Sequence, residues 1–321
     1  MSGSVHDWLL DSDPALRWQV LRDLTDAPQT EIAAQRSRVA VEGWGARLLA
    51  LRGEDGQWAG GACFPAGFDG DLSNGQPWTS TLPTLSLLRD FGVDPVAERV
   101  RETVRLVRDN CRWEHAGQPF FAGEVEPCIN GRTVAIGAYF GVDVDVIVER
   151  LLGEQLADGG WNCAAENGSV RSSFDTTICV LEGLLQHERA TGGTTESVAA
   201  RRRGEDYLLQ RRLFRRLSTG DVVEPAWLCF AFPTWWHYDV LRALDYFRAA
   251  DAPDPRLHQA IDLVRSKQQR DGRWLSENTH RGAVHIAIDD GDGEPGRWTT
   301  LRALRVLNWY EAAPAAGLTQ R

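Results

Sequence analysis

Gln155-Leu156-Ala157-Asp158-Gly159-Gly160-Trp161 closes a charged, amphipathic segment with an Asp-Gly turn and then presents a single indole. The same order of features returns at Gln268-Gln269-Arg270-Asp271-Gly272-Arg273-Trp274 and, in shorter form, at Gly53-Glu54-Asp55-Gly56-Gln57-Trp58. A degenerate copy runs from Trp113 into Gly117-Gln118-Pro119-Phe120-Phe121. Aspartate and glycine suit such a turn because both tolerate the left-handed backbone that follows a helix end. A unit repeated along the whole chain points to a repeat architecture, in which each unit buries its apolar face only against its neighbours.

A second pattern, an aliphatic residue followed by L-[RE]-x-[LF], lies between the turns. It reads V-L-R-D-L at 20–24, L-L-R-D-F at 87–91, V-L-E-G-L at 180–184, V-L-R-A-L at 240–244 and T-L-R-A-L at 300–304, with a degenerate A-I-G-A-Y at 135–139. Segments 30–51, 95–110, 143–156, 194–213 and 254–269 are charged with one apolar stripe, which predicts helices with one wet face. Segments 78–92, 130–141, 173–187, 233–248 and 298–311 open on aromatic or small polar residues and continue apolar on more than one face. These predict an inner layer under an outer one. The first copy, at Arg17-Trp18, and the last, at Arg297-Trp298, look like ordinary repeats rather than polar caps. The expectation is therefore an all-α, (α/α)6 toroid, a single domain over 1–321, closed into a ring.

Composition agrees with a globular chain: 43% hydrophobic and 25% charged residues argue against disorder. A net charge of −10 makes nucleic acid and anionic membranes poor partners. No stretch is apolar enough to span a bilayer, and MSGSVHDWLL lacks the basic and apolar regions of a signal peptide. Six cysteines without CxxC spacing then read as reduced cytoplasmic thiols. Only Lys267 among the 35 Lys and Arg residues is lysine, which argues against Schiff-base chemistry. Thirteen tryptophans far exceed ordinary usage, and each needs a large apolar contact and a partner for its N–H. Nothing in the pattern specifies an oligomeric state.

The Q-x-x-D-G-G-W, Q-Q-R-D-G-R-W and G-x-x-G-Q-W stretches resemble the QW repeats of squalene–hopene cyclases, oxidosqualene cyclases and protein prenyltransferase β subunits. The resemblance covers nearly the whole chain and implies inner helices around a hydrophobic cavity for an isoprenoid chain. Two departures stand out. Triterpene cyclases carry two such domains and a DxDD motif; this chain has length for one and contains no DxDD. At Ser172-Ser173-Phe174-Asp175-Thr176-Thr177 the sequence also resembles the inner-helix start that bears a zinc-binding histidine in prenyltransferases, with aspartate in its place.

A cavity mouth would be lined by the first turns of the inner helices. They offer Trp78; Glu126, Cys128, Asn130 and Arg132; Asp175 and Thr176; Trp235, Trp236, His237 and Tyr238; and Trp298. Asp175 is either a helix N-cap or an acid whose burial keeps it protonated for catalysis. His237 and Glu126 are the further catalytic candidates, the latter within a rim of Glu124, Glu126, Asn130 and Arg132 in which Arg132 could grip a phosphate or carboxylate. Pro233 reads as the first residue of a helix, followed by indoles that either face cationic substrate or wedge between layers. Cys128, Asp175 and His237 open three different inner helices, a weak zinc candidate. The acidic loop 285–294 is either a solvated loop or a magnesium site for a diphosphate.

The expectation for function is an enzyme acting on an isoprenoid or similar small hydrophobic substrate in an aromatic-lined cavity. Acid-initiated cyclisation or isomerisation, with Asp175 donating the proton, is its concrete form. The alternatives are a carbohydrate-processing toroid using paired carboxylates and a non-catalytic carrier or scaffold.

Overall fold

The computed structural model describes residues 4–313, so residues 1–3 and 314–321 of the expected single domain lie outside the described residues. The described residues are all-helical, with isolated bridges and no named strand. Six helices are buried on several faces: α2 (Pro14–Leu24), α5 (Thr81–Asp90), α7 (Pro127–Phe140), α9 (Phe174–Thr191), α11 (Val240–Ala249) and α13 (Arg297–Ala312). Alternating with them are α1 (Val5–Leu10), α3 (Gln29–Arg38), α4 (Gly43–Ala50), α6 (Glu98–Asn110), α8 (Asp145–Gly153), α10 (Thr195–Gln210) and α12 (His258–Ser266). Helix α6 shows the contrast: only Val100, Thr103, Val104 and Val107, one stripe at helical spacing, are buried.

Local chemistry sets the ends. Asp13 caps α2 through Ala15 N–H at 2.8 Å and reaches across to Trp44 N–H at 2.7 Å, fixing the start of α4 as well. Ser173 caps α9, Thr194 and Ser197 form a capping box on α10, and Asp239 caps α11. Pro127 occupies the first turn of α7, where a missing N–H costs nothing.

Two segments differ from expectation. The outer segment 30–51 is broken between Arg38 and Gly43, which has φ +65° and where a Cβ would sit 2.0 Å from Asp13 Oδ2. Residues 233–239 are not helical. Pro233 follows a cis peptide bond, Trp235 has φ +52°, and α11 starts only where the Asp239 carboxylate accepts the Arg242 N–H at 2.7 Å. The capping aspartate, not the proline, sets this helix start.

The three full repeats do one structural job. Trp58, Trp161 and Trp274 are fully buried. Each indole N–H donates at 2.7 Å to a carbonyl ten residues earlier, that of Leu48, Leu151 or Val264, at the end of the preceding wet-faced helix. Each backbone N–H meets the hydroxyl of a threonine in the next buried helix: Thr81 at 3.3 Å, Thr177 at 3.1 Å and Thr300 at 3.0 Å. One residue thus ties two helices. The degenerate copy departs from this, since Trp113 donates to Phe120 O at 2.9 Å and stacks on the Phe120 ring.

Neighbour relations among the buried helices run from α5 to α7, α7 to α9, α11 to α13 and α13 back to α2. Side chains also join Arg242 of α11 to Glu182 of α9, and Gln19 of α2 to Asp90 O of α5. The α7–α9 contact is the most intimate: a Cβ on Gly183 would sit 2.3 Å from Gly131 O, and one on Gly131 2.5 Å from Cys179 O. Apolar side chains from Leu9 to Tyr310 form one buried cluster. Trp161→Phe keeps most ring burial but orphans the Leu151 carbonyl, so urea unfolding should show a loss of about 1–2 kcal/mol. Trp161→Ala, which also leaves a cavity, should lose about 3–5 kcal/mol.

Candidate functional site

The buried helices enclose a cavity of about 250 Å³ to which all six contribute. The L-[RE]-x-[LF] repeat supplies much of its wall: Arg22, Arg89, Glu182, Arg242 and Arg302 occupy the same position of five copies, and all five line the space. Arg132, Arg189, Arg248 and Arg305 join them, against the carboxylates of Asp90, Glu182 and Asp245. The wall is therefore predominantly basic, inside a chain of net charge −10.

Most of these charges are paired. Arg242 clasps Glu182 with two bonds, Nε to Oε1 at 2.8 Å and Nη2 to Oε2 at 2.7 Å. Asp245 receives Arg305, Arg248 Nε at 2.8 Å and Arg302 Nε at 3.5 Å. Burial opposes ionisation of both acids, but the surrounding arginines overcome it and hold both carboxyls below their ordinary range, Asp245 far below.

Arg132 is different. It is 5% exposed, lines the cavity, and has one hydrogen bond, to Ser86 Oγ at 3.3 Å. Among the described residues it makes no ion pair, and burial pushes its pKa down, with Cys179 and Cys63 the nearest opposing groups rather than any carboxylate. Trp298 also lines the cavity, but its indole N–H is buried away from accessible space and has no partner among the described residues. A buried guanidinium such as Arg132 ordinarily finds an acceptor, and an anion in the cavity would provide one.

Leu87, Phe232, Pro233 and Trp235 separate this cavity from an aromatic vestibule of about 150 Å³. Trp78 stacks on Trp235 at 4.9 Å, and Phe232 on Trp298 at 4.3 Å. Behind them His237 is sandwiched between Trp236 at 3.7 Å and His280 at 3.9 Å. Burial, then His280 and Arg242, lower its pKa to about 3, so the imidazole is neutral at physiological pH.

Of the residues expected at the site, Arg132, Trp235 and Trp298 line the cavity and Trp78 lines the vestibule. The others serve elsewhere. Asp175 is not the cap but follows it: its Oδ1 accepts the Tyr238 N–H at 2.7 Å, and it lines a separate groove with Tyr207, Arg211 and Trp227. Burial raises its pKa, against that hydrogen bond and Arg242. The Tyr238 hydroxyl turns into the core to Leu213 O, and Trp236 Nε1 donates to Gln76 Oε1. Asn130 exchanges two 2.7 Å bonds with the Glu124 backbone, tying a loop to α7. Thr176 Oγ1 donates to Cys163 Sγ at 3.5 Å. The ligating atoms of Glu126, Cys128 and Cys163 lie within 4.8 Å of one another; neither Asp175 nor His237 belongs to that group. In the acidic loop, Asp292 accepts from Thr279 N–H and hydroxyl at 2.7 Å, and Asp289 accepts from Ser276 and the Arg297 N–H.

Sequence reasoning passed over the repeat arginines, Glu182 and Asp245. Their signal was present: a charge at one fixed position inside otherwise apolar helices.

Asp289 gives a test of the vestibule's burial. Burial pushes its pKa from the ordinary 3.8 up to about 6. The folded state then binds this proton more tightly than the unfolded chain, so the associated stability is present below about 3.8 and lost as pH rises through about 6. Melting temperatures measured from pH 4 to 8 should show Asp289→Asn above the wild type at the alkaline end, with the gap closing toward pH 4. No protein-family model matches the chain, and no curated protein matches it.

Proposed function

We propose that the six buried helices and their outer partners form an α/α toroid whose cavity receives an amphiphilic anion. An isoprenoid-like chain bearing a phosphate or carboxylate head fits this reading best. The observation that carries it is Arg132, a buried guanidinium that lines the cavity without a carboxylate partner among the described residues. Guanidinium groups bind phosphate and carboxylate bidentately, and do so most strongly where water is excluded. The indoles of Trp235 and Trp298 and the Phe232 ring supply an apolar wall for the rest of the molecule. In an enzyme, arginines so placed stabilise negative charge developing on a departing phosphate, and the aromatic faces stabilise the cationic remainder.

Acid-initiated chemistry has less support on this wall. Glu182 and Asp245 are kept ionised by arginine, and Asp175 lines a different groove. The same pairing leaves no free carboxylate couple of the kind glycoside hydrolysis uses, and Glu124, Glu126 and Asp175 do not line the cavity.

Calorimetric titration with geranyl diphosphate, inorganic pyrophosphate and geraniol tests the reading. The diphosphate ester should bind best and the alcohol worst. Arg132→Gln should weaken ester binding by at least about tenfold, a change of ~1.4 kcal/mol, with a melting temperature equal to or above wild type because an uncompensated charge is removed. Equal affinity in the variant, or geraniol binding as well as its ester, would overturn it.

A further inference from the structure

Away from the cavity, two thiols meet at the start of α7. Cys128 is the second residue of this 14-residue helix, and Cys163 opens the 3-10 turn Cys163–Asn167 that follows the Trp161 tie. The two sulfurs and a Glu126 carboxylate oxygen lie within 4.8 Å of one another. Cys128 Sγ is 3.4 Å from Glu126 Oε2. Cys163 Sγ accepts the Thr176 hydroxyl at 3.5 Å. Cys128 lies in the first turn of α7, whose N–H groups have no partner inside the helix, so the thiol pair sits near the positive end of that helix, which favours an anion. Cys163 is half-buried, hence accessible to a small reagent. No cysteine of the chain is in a disulfide.

We propose that Cys128 and Cys163 form a reversible dithiol–disulfide pair in which Cys163 attacks and Cys128 resolves, the co-reactant being a low-molecular-weight disulfide such as glutathione disulfide. The Cys163 thiolate attacks one sulfur of the reagent, forming a mixed disulfide and expelling one glutathione thiolate, which takes a proton from water. Cys128 then loses its proton to Glu126 and attacks Cys163 Sγ. The second glutathione leaves, carrying that proton, and the Cys128–Cys163 bond forms. Two protein thiols are oxidised and one reagent disulfide is reduced to two thiols. The division of roles follows the proton. Cys163 Sγ receives the Thr176 hydroxyl, which favours its thiolate, whereas the Cys128 thiol faces the Glu126 carboxylate, which disfavours its thiolate and can take its proton. The closed form would tie the start of α7 to the loop before α9. It is independent of anion binding in the cavity.

The folded, reduced protein is exposed to glutathione disulfide and followed by intact mass and peptide mapping. The expected product has lost two hydrogens, links the Cys128 and Cys163 peptides, and reopens with dithiothreitol. Cys128→Ser should stop at a glutathione adduct on Cys163, and Cys163→Ser should react at Cys128 at least about tenfold more slowly than wild type reacts. Circular dichroism confirms folding of both variants, and the wild-type map stands without them. Three results would each overturn the proposal: wild type that leaves both thiols reduced, wild type that accumulates glutathione on Cys163 without closing, or thiols protected by bound zinc until a chelator is added.

Discussion

A buried indole must place its N–H against an acceptor, and in this chain that requirement sets the geometry of the repeat. Trp58, Trp161 and Trp274 each reach back ten residues to the last turn of a wet-faced helix, while their own backbone binds a threonine of the next buried helix. The carbonyls that receive the indoles lie in the last helical turn; those of Leu48 and Val264 also accept the N–H three residues on, at 3.1 and 3.2 Å. Capping, layer spacing and the angle of the connecting turn are therefore solved by one residue. The polar turn before it, Asp-Gly in every full copy, needs only to reverse the chain.

That constraint also explains how much of the fold was legible. Turn, indole and apolar helix alternate in register, so the helix types and their order follow from the pattern, and the predicted segments overlap the observed ones nearly everywhere. The Phe232–Asp239 stretch was misread because Pro233 and Asp239 both carry helix-start chemistry, and only the second uses it. Composition gives no way to rank two helix-start residues six positions apart with an aromatic run between them.

The site was less legible, for a different reason. Trp78, Arg132, Trp235 and Trp298 were found because they stand near helix starts. Arg22 and Arg89 sit in the last turn of their helices, Arg242 in the first turn and Arg302 further in, each following a leucine, where a charged residue ordinarily marks a solvated face. Whether such a residue faces bulk water or an enclosed space depends on closure of distant helices, which no local window contains. The near-absence of lysine fits the enclosed alternative. A planar guanidinium can clasp Glu182 with two bonds and share Asp245 with its neighbours, whereas an ammonium offers no such fork.

The glycine contact between α7 and α9 has a mechanical consequence. Where backbones touch through Gly131 and Gly183, the two helices have no side-chain cushion to compress and move as one body. The junctions of α9 with α11 and of α2 with α5 are instead bridged by long polar side chains, which pivot at little cost. Dilation of the cavity to admit a bulky guest would concentrate at those two seams, and the Glu182–Arg242 clasp would act as a latch on one of them.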